Sequence, residues 1–146
     1  MELVFREARD EDWSIVAEME KSAAGSKFYF PYTEELKVRD YIEKSHVFIS
    51  FLDEEPVGTI SYELKTPNHA ELNGLIVHPS QRGNGFAGKA LEFIMDRLEG
   101  KKVTTVVHPE NNIGIKLYLE AGMTIKAWED NYYGDGEPRL VMTKTP

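Results

Sequence analysis

Residues 71–91 read Glu71-Leu72-Asn73-Gly74-Leu75-Ile76-Val77-His78-Pro79-Ser80-Gln81-Arg82-Gly83-Asn84-Gly85-Phe86-Ala87-Gly88-Lys89-Ala90-Leu91. A β-rich run enters a glycine-rich turn, and a helix leaves it. Gly83 and Gly85 tolerate φ > 0, so successive N–H groups can converge on one point. The helix that follows adds its unpaired N–H groups and positive dipole end there, which makes the turn an anion site suited to a diphosphate. Helix periodicity continues downstream: Ala87, Ala90, Leu91, Ile94 and Leu98 share a face, Lys89, Glu92, Asp96 and Glu99 lie opposite, and Gly100 supplies a stop.

Gly83, Gly85 and Gly88 also spell G-x-G-x-x-G, the dinucleotide fingerprint. The context opposes that reading. The fingerprint opens the turn directly after the first strand of a βαβ unit, whereas several strands come first here and Pro79-Ser80-Gln81-Arg82 intervenes.

Outward from this stretch, 146 residues suit one domain over 1–146 with a sizeable core. There is no cysteine, so disulfides, thiolate metal sites and a cysteine nucleophile are excluded, and a cytoplasmic setting is expected. Lys plus Arg is 17 against 25 for Asp plus Glu, a formal net charge of −8. That balance disfavours nucleic acid and favours cationic partners such as an amine. No apolar run of membrane-spanning length is present in the sequence. A homodimer is compatible with the chain.

Leu3–Ala8 reads as a first strand, and Asp10-Glu11-Asp12 opens a helix on which Trp13, Val16, Ala17 and Glu20 share a face. The following Phe28-Tyr29-Phe30-Pro31-Tyr32 reads as a loop, whose rings either pack on the core or wall a pocket. Thr33 can cap a second helix over 34–44. Strand signals then cover 47–52, 57–64 and 70–77, with turns at 53–56 and 66–68, an antiparallel meander. Val103–Val107 resumes the sheet after the central helix, and a strand–helix–strand connection of this length makes 70–77 and 103–107 parallel. Asn111 and its neighbours cap a last helix, on which Ile113, Leu117 and Ala121 repeat at four-residue spacing, and two strands near 124–129 and 139–144 close the chain.

The element order and two motifs resemble the GNAT superfamily of acetyl-CoA-dependent N-acetyltransferases. Arg82-Gly83-Asn84-Gly85-Phe86-Ala87 matches its pyrophosphate loop. Asn111, then Leu117-Tyr118, then Gly122-Met123 resembles its second motif, with Met123 in place of the usual Phe. The resemblance spans essentially the whole chain. It implies an α/β (α+β) fold: a mixed, mostly antiparallel seven-stranded sheet with a parallel, splayed central pair and about four helices.

It also implies acetyl-CoA as co-substrate and no metal. The pantetheine arm would lie along Leu75, Ile76 and Val77, the diphosphate on Arg82, Gly83, Asn84, Gly85, Phe86, Ala87 and Gly88, with Asn111 and Tyr118 completing the site. Aminolysis of a thioester needs a neutral amine and a proton for the departing thiolate. Glu71 matches the position of the base in some members, and Tyr118 is the leading acid; His78 and His108 are weaker candidates for the base. Acceptor contacts are expected from Phe28, Tyr29, Tyr32, Asn73, Tyr132 and Tyr133. Tyr132-Tyr133 and Leu140-Val141-Met142 resemble the branch that acetylates protein N-termini. Its bacterial ribosomal-protein members, however, carry a catalytic Glu where this chain has Val106. A small-molecule amine is therefore preferred over a protein N-terminus or lysine. A non-catalytic module that holds CoA or a nucleotide is the alternative of another class.

Overall fold

The computed structural model describes residues 2–146. The elements run β1 Val4–Glu7, α1 Trp13–Ser22, α2 Glu35–Lys44, β2 His46–Leu52, β3 Glu55–Thr66, β4 His69–Val77, α3 Phe86–Arg97, β5 Lys102–Val107, α4 Asn112–Glu120, β6 Thr124–Glu129 and β7 Arg139–Lys144. One seven-stranded sheet has the order β1-β2-β3-β4-β5-β7-β6, antiparallel except for β4 beside β5. The expected fold class is therefore the observed one. The Asp10–Asp12 stretch forms a short 3-10 turn, and Trp13 begins α1 proper. The cap of α2 is Glu34 rather than Thr33, and its backbone carbonyl accepts from the Val38 N–H.

Two apolar layers cover the sheet. On one face α3 sets Ala90, Leu91, Ile94 and Leu98 against Phe48, Ile60, Tyr62, Leu72 and Val103. Ala87 leaves this stripe for a cavity wall. On the other face α1 and α2 bring Val16, Ala17, Val38 and Ile42 against Val47 and Ile49. Each buried Val, Leu, Ile or Phe among them contributes about 1.5–3 kcal/mol by leaving water.

Two irregularities matter for function. Ser61 pairs with Gly74 and Tyr62 with Leu72, so Asn73 is an extra residue, a bulge in β4. Glu71, Asn73 and Leu75 therefore do not share a face: Leu75 packs with the α3 layer, while Gly74 comes near the Tyr41 hydroxyl under α2. The second is a fork. β4 and β5 pair only through His69–Lys102, Ala70–Val103 and Glu71–Thr104, then part. In the crotch Thr105 Oγ1 donates to the Leu72 carbonyl at 3.3 Å, and beyond it β5 pairs with β7 alone.

Candidate active site

Parting the strands opens a cavity of about 640 Å³ through the middle of the sheet. One wall is the β4 backbone from Leu72 to Val77; the facing wall is β5 and the first turns of α4. One mouth is the glycine-rich turn. Gly83 and Gly85 take φ of +84° and +76°, the left-handed region that a Cβ opposes, and nothing lies within 4 Å of where either Cβ would be. The N–H groups of residues 83–88 meet no acceptor among the described residues. Asn84 Nδ2 donates to the Gln81 carbonyl at 3.1 Å and Arg82 Nε to the Val77 carbonyl at 3.4 Å, which pins the turn to the end of β4. Unpaired, converging amides at a helix start are what an anion requires.

The second wall is set by α4. Asn111 Oδ1 accepts from the Gly114 N–H at 3.0 Å, so this Asn caps the helix while lining the cavity. Tyr118 is the one buried residue of α4 and reaches the cavity. Burial pushes its phenol up to about 12, with the neighbouring Thr105 hydroxyl acting in the opposite direction. Ile113, read as part of a repeating stripe, is 79% exposed and lines the cavity.

The opposite mouth is aromatic. Phe28, Tyr29, Phe30 and Tyr32 belong to neither core layer, and all four line the cavity. Phe30 stacks on Tyr133 with centroids 5.4 Å apart, Tyr32 tilts on Tyr41 at 4.9 Å, and Tyr132 meets Tyr133 edge-on at 4.8 Å. Tyr133 lines the cavity and Tyr132 supports it from outside. Buried Arg139 sits under the Tyr133 ring at 5.1 Å and donates to Asp135 Oδ2 at 3.1 Å, which holds the β6–β7 loop over the site.

Leu75, Ile76, Val77, Arg82, Gly83 and Gly85 line the cavity, together with Phe86, Ala87, Gly88 and Asn73. Asn73 Nδ2 also donates to Ser45 Oγ at 3.0 Å. Asn84 closes the turn without lining the cavity, and Glu71 lies outside its wall. At Glu71 the strands are still paired, and its carboxylate is 3.8 Å from Lys65 Nζ with 33% of the side chain exposed. His78 Nδ1 accepts from the Ser80 N–H at the surface. His108 is buried with both nitrogens occupied: Nδ1 accepts from the Glu110 N–H at 3.1 Å, so Nε2 carries the proton and donates to Glu137 at 2.7 Å.

Sequence reading passed over Glu20. This α1 residue is 6% exposed, lines the cavity, and has no ion-pair or hydrogen-bond partner among the described residues. Burial raises its carboxyl to about 8. An acid on the same helical face as Trp13, Val16 and Ala17 was the available signal.

A forked sheet with an amide-lined turn at one mouth defines the class. The family model described as the acetyltransferase (GNAT) family matches residues 6–123, and the chain belongs to that family. Similar solved structures include the ribosomal-protein-S18-alanine N-acetyltransferase of Escherichia coli, at TM-score 0.84 and 21% identity over 97% of this chain and 92% of that one. YncA of Salmonella typhimurium, solved with its cofactor acetyl-CoA, gives 0.81 and 18% over 99% and 94%. A Bacillus subtilis acetyltransferase in complex with CoA gives 0.80 and 13% over 99% of both. UPF0157 protein YqkA of B. subtilis is 36% identical over 76 residues, 49% of this chain and 22% of that protein's length.

Proposed function

We propose that this chain is an acetyl-CoA-dependent N-acetyltransferase that acts on a primary amine by direct transfer in a ternary complex, with a small-molecule amine as acceptor. The observation that carries this is the fork after Glu71, which leaves the β4 edge without a β5 partner between a turn of free amides and Tyr118. The residues fit acetyl-CoA. The left-handed glycines and their open space admit a diphosphate, and unpaired β4 groups suit the amides of a pantetheine arm.

Acetyl-CoA, when bound, supplies an acetyl group activated as a thioester. A β4 N–H turned toward that carbonyl stabilises the oxygen as it gains negative charge. Tyr118, a donor with a high pKa beside the fork, gives a proton to the departing sulfur. Glu71, outside the cavity wall, takes the amine proton through water. With no cysteine in the chain, an acetyl-cysteine intermediate is unavailable, which supports simultaneous binding of both substrates. A small acceptor is favoured over a protein N-terminus by Val106, an apolar wall residue where the N-terminal acetylating branch it resembles has a catalytic Glu.

The test is thiol release from acetyl-CoA across a panel of primary amines, amino acids and N-terminal peptides. Release with a small amine and intersecting initial-rate lines are expected. Tight CoA binding with no release from any acceptor means a binding module instead.

A further inference from the structure

We propose that Glu20 and the aromatic rings around it form a cation-recognising subsite, so that the acceptor enters as an alkylammonium ion with Glu20 as its counter-ion. This rests on the acetyltransferase reading for the word acceptor, but its physical content is independent of turnover.

Glu20 is the carboxylate in the cavity wall, on the face of the sheet away from α3 and beside the aromatic mouth. A carboxyl on a buried residue with no partner among the described residues is costly in a free protein unless it stays protonated. Two aromatic groups share its surroundings, Tyr32 from the loop after α1 and Tyr41 from α2: burial chiefly raises both phenols, and an ionised Glu20 raises them further. Tyr41 is committed to Ser61 through its hydroxyl, and its ring backs Tyr32. Phe30 and Tyr133 supply two further faces to the same cavity. Two cations share the cavity wall: Arg82 belongs to the glycine-rich turn at the other mouth, where its Nε donates to the Val77 carbonyl, and Arg139 is neutralised by Asp135 and covered by Tyr133, while β3 and β4 contribute uncharged Ser61, Asn73 and Gly74 nearby. Among the described residues no fixed cation therefore pairs with Glu20, and aromatic faces plus a desolvated carboxylate are the pairing that alkylammonium groups select.

A bound cation favours the ionised carboxylate, so binding near neutral pH releases the proton that burial had retained on Glu20. That release separates a counter-ion from a merely buried acid. The probe is choline, which cannot be N-acetylated, compared with its neutral isostere 3,3-dimethylbutan-1-ol. Both are titrated into CoA-saturated protein by calorimetry at pH 7 in two buffers of different ionisation enthalpy.

The expected result is at least tenfold preference for choline and release of close to one proton. Glu20→Gln, which keeps the shape, removes both while leaving CoA affinity unchanged. Tyr32→Leu, at an exposed position outside both core layers, weakens choline several-fold with Glu20 intact. Equal affinity for the two probes, no choline binding, or a Glu20→Gln variant that still prefers choline would each overturn the subsite. Failure of thiol release with every amine, alongside an intact choline preference, would sink the acetyltransferase reading and leave the subsite standing.

Discussion

Tyr118 and Glu71 occupy contrasting surroundings, and their variants should behave differently for that reason. Tyr118 is buried at the fork with its phenol held at about 12, so it keeps its proton across the usable pH range. Tyr118→Phe should lower kcat by ~10²–10⁴-fold at every pH, the usual worth of a positioned acid, and spare CoA affinity measured by calorimetry. A residual rate within a few-fold of wild type would remove the acid role. Glu71 is one-third exposed and shared with Lys65, outside the cavity wall, so the base role proposed for it would run through water. Glu71→Gln should cost most at low pH, where the amine is protonated, and less as pH rises. The kcat/KM profile checks this, and a loss below a few-fold at every pH transfers the base role elsewhere.

The turn into α3 works as a unit, with both left-handed glycines, six free amides and the Asn84 and Arg82 contacts that pin it. Gly85→Val places a β-branched residue at φ +76°, where an ordinary L residue already costs about 1–2 kcal/mol. The amides then leave register, and acetyl-CoA affinity should fall by tenfold or more in calorimetry, with the melting profile showing a folded protein. Unchanged affinity would detach the turn from the site. This turn was legible because glycine has a local meaning, and α3 was legible because its apolar spacing is long and regular. The bulge at Asn73 was not, since one extra residue in a strand leaves no mark in an alternating pattern, and it alone decides that Gly74 rather than Leu75 faces α2. The fork was reached by resemblance, because strand divergence depends on which neighbour β5 pairs with, here β7. Glu20 was legible in principle as an acid on an apolar face. Its sharing of one cavity with Tyr32 and Tyr133 depends on how two loops fold over the sheet, which residue spacing does not encode.

Across the whole molecule, two buried carboxyls set opposite slopes in stability against pH. Asp12 accepts from Arg6 Nη1 at 2.8 Å and from the Arg9 N–H at 2.8 Å, and the Arg6 contact chiefly holds its carboxyl below the ordinary range. Its contribution is present above the unfolded value and is lost as pH falls through the lowered one. Glu20 works the other way, with a folded value of about 8 against an ordinary 4.5. Below 4.5 both states hold the proton and nothing is lost. Between 4.5 and 8 the unfolded chain gives it up while the folded chain retains it, so stability declines with rising pH, by at most about 1.4 kcal/mol per pH unit. Above 8 the loss is complete. The net charge of −8 adds repulsion in the same direction. Ligand-free protein should therefore be most stable at mildly acidic pH, near the lower end of that window, and weaken steadily toward pH 8. Glu20→Gln, neutral throughout, should flatten the decline and exceed wild type in stability at pH 8 by on the order of several kcal/mol. Denaturant unfolding of both proteins at pH 5, 6.5, 8 and 9 measures this. Parallel curves for the two proteins would mean that Glu20 is already ionised in the empty cavity, and choline would then bind at pH 7 without releasing a proton.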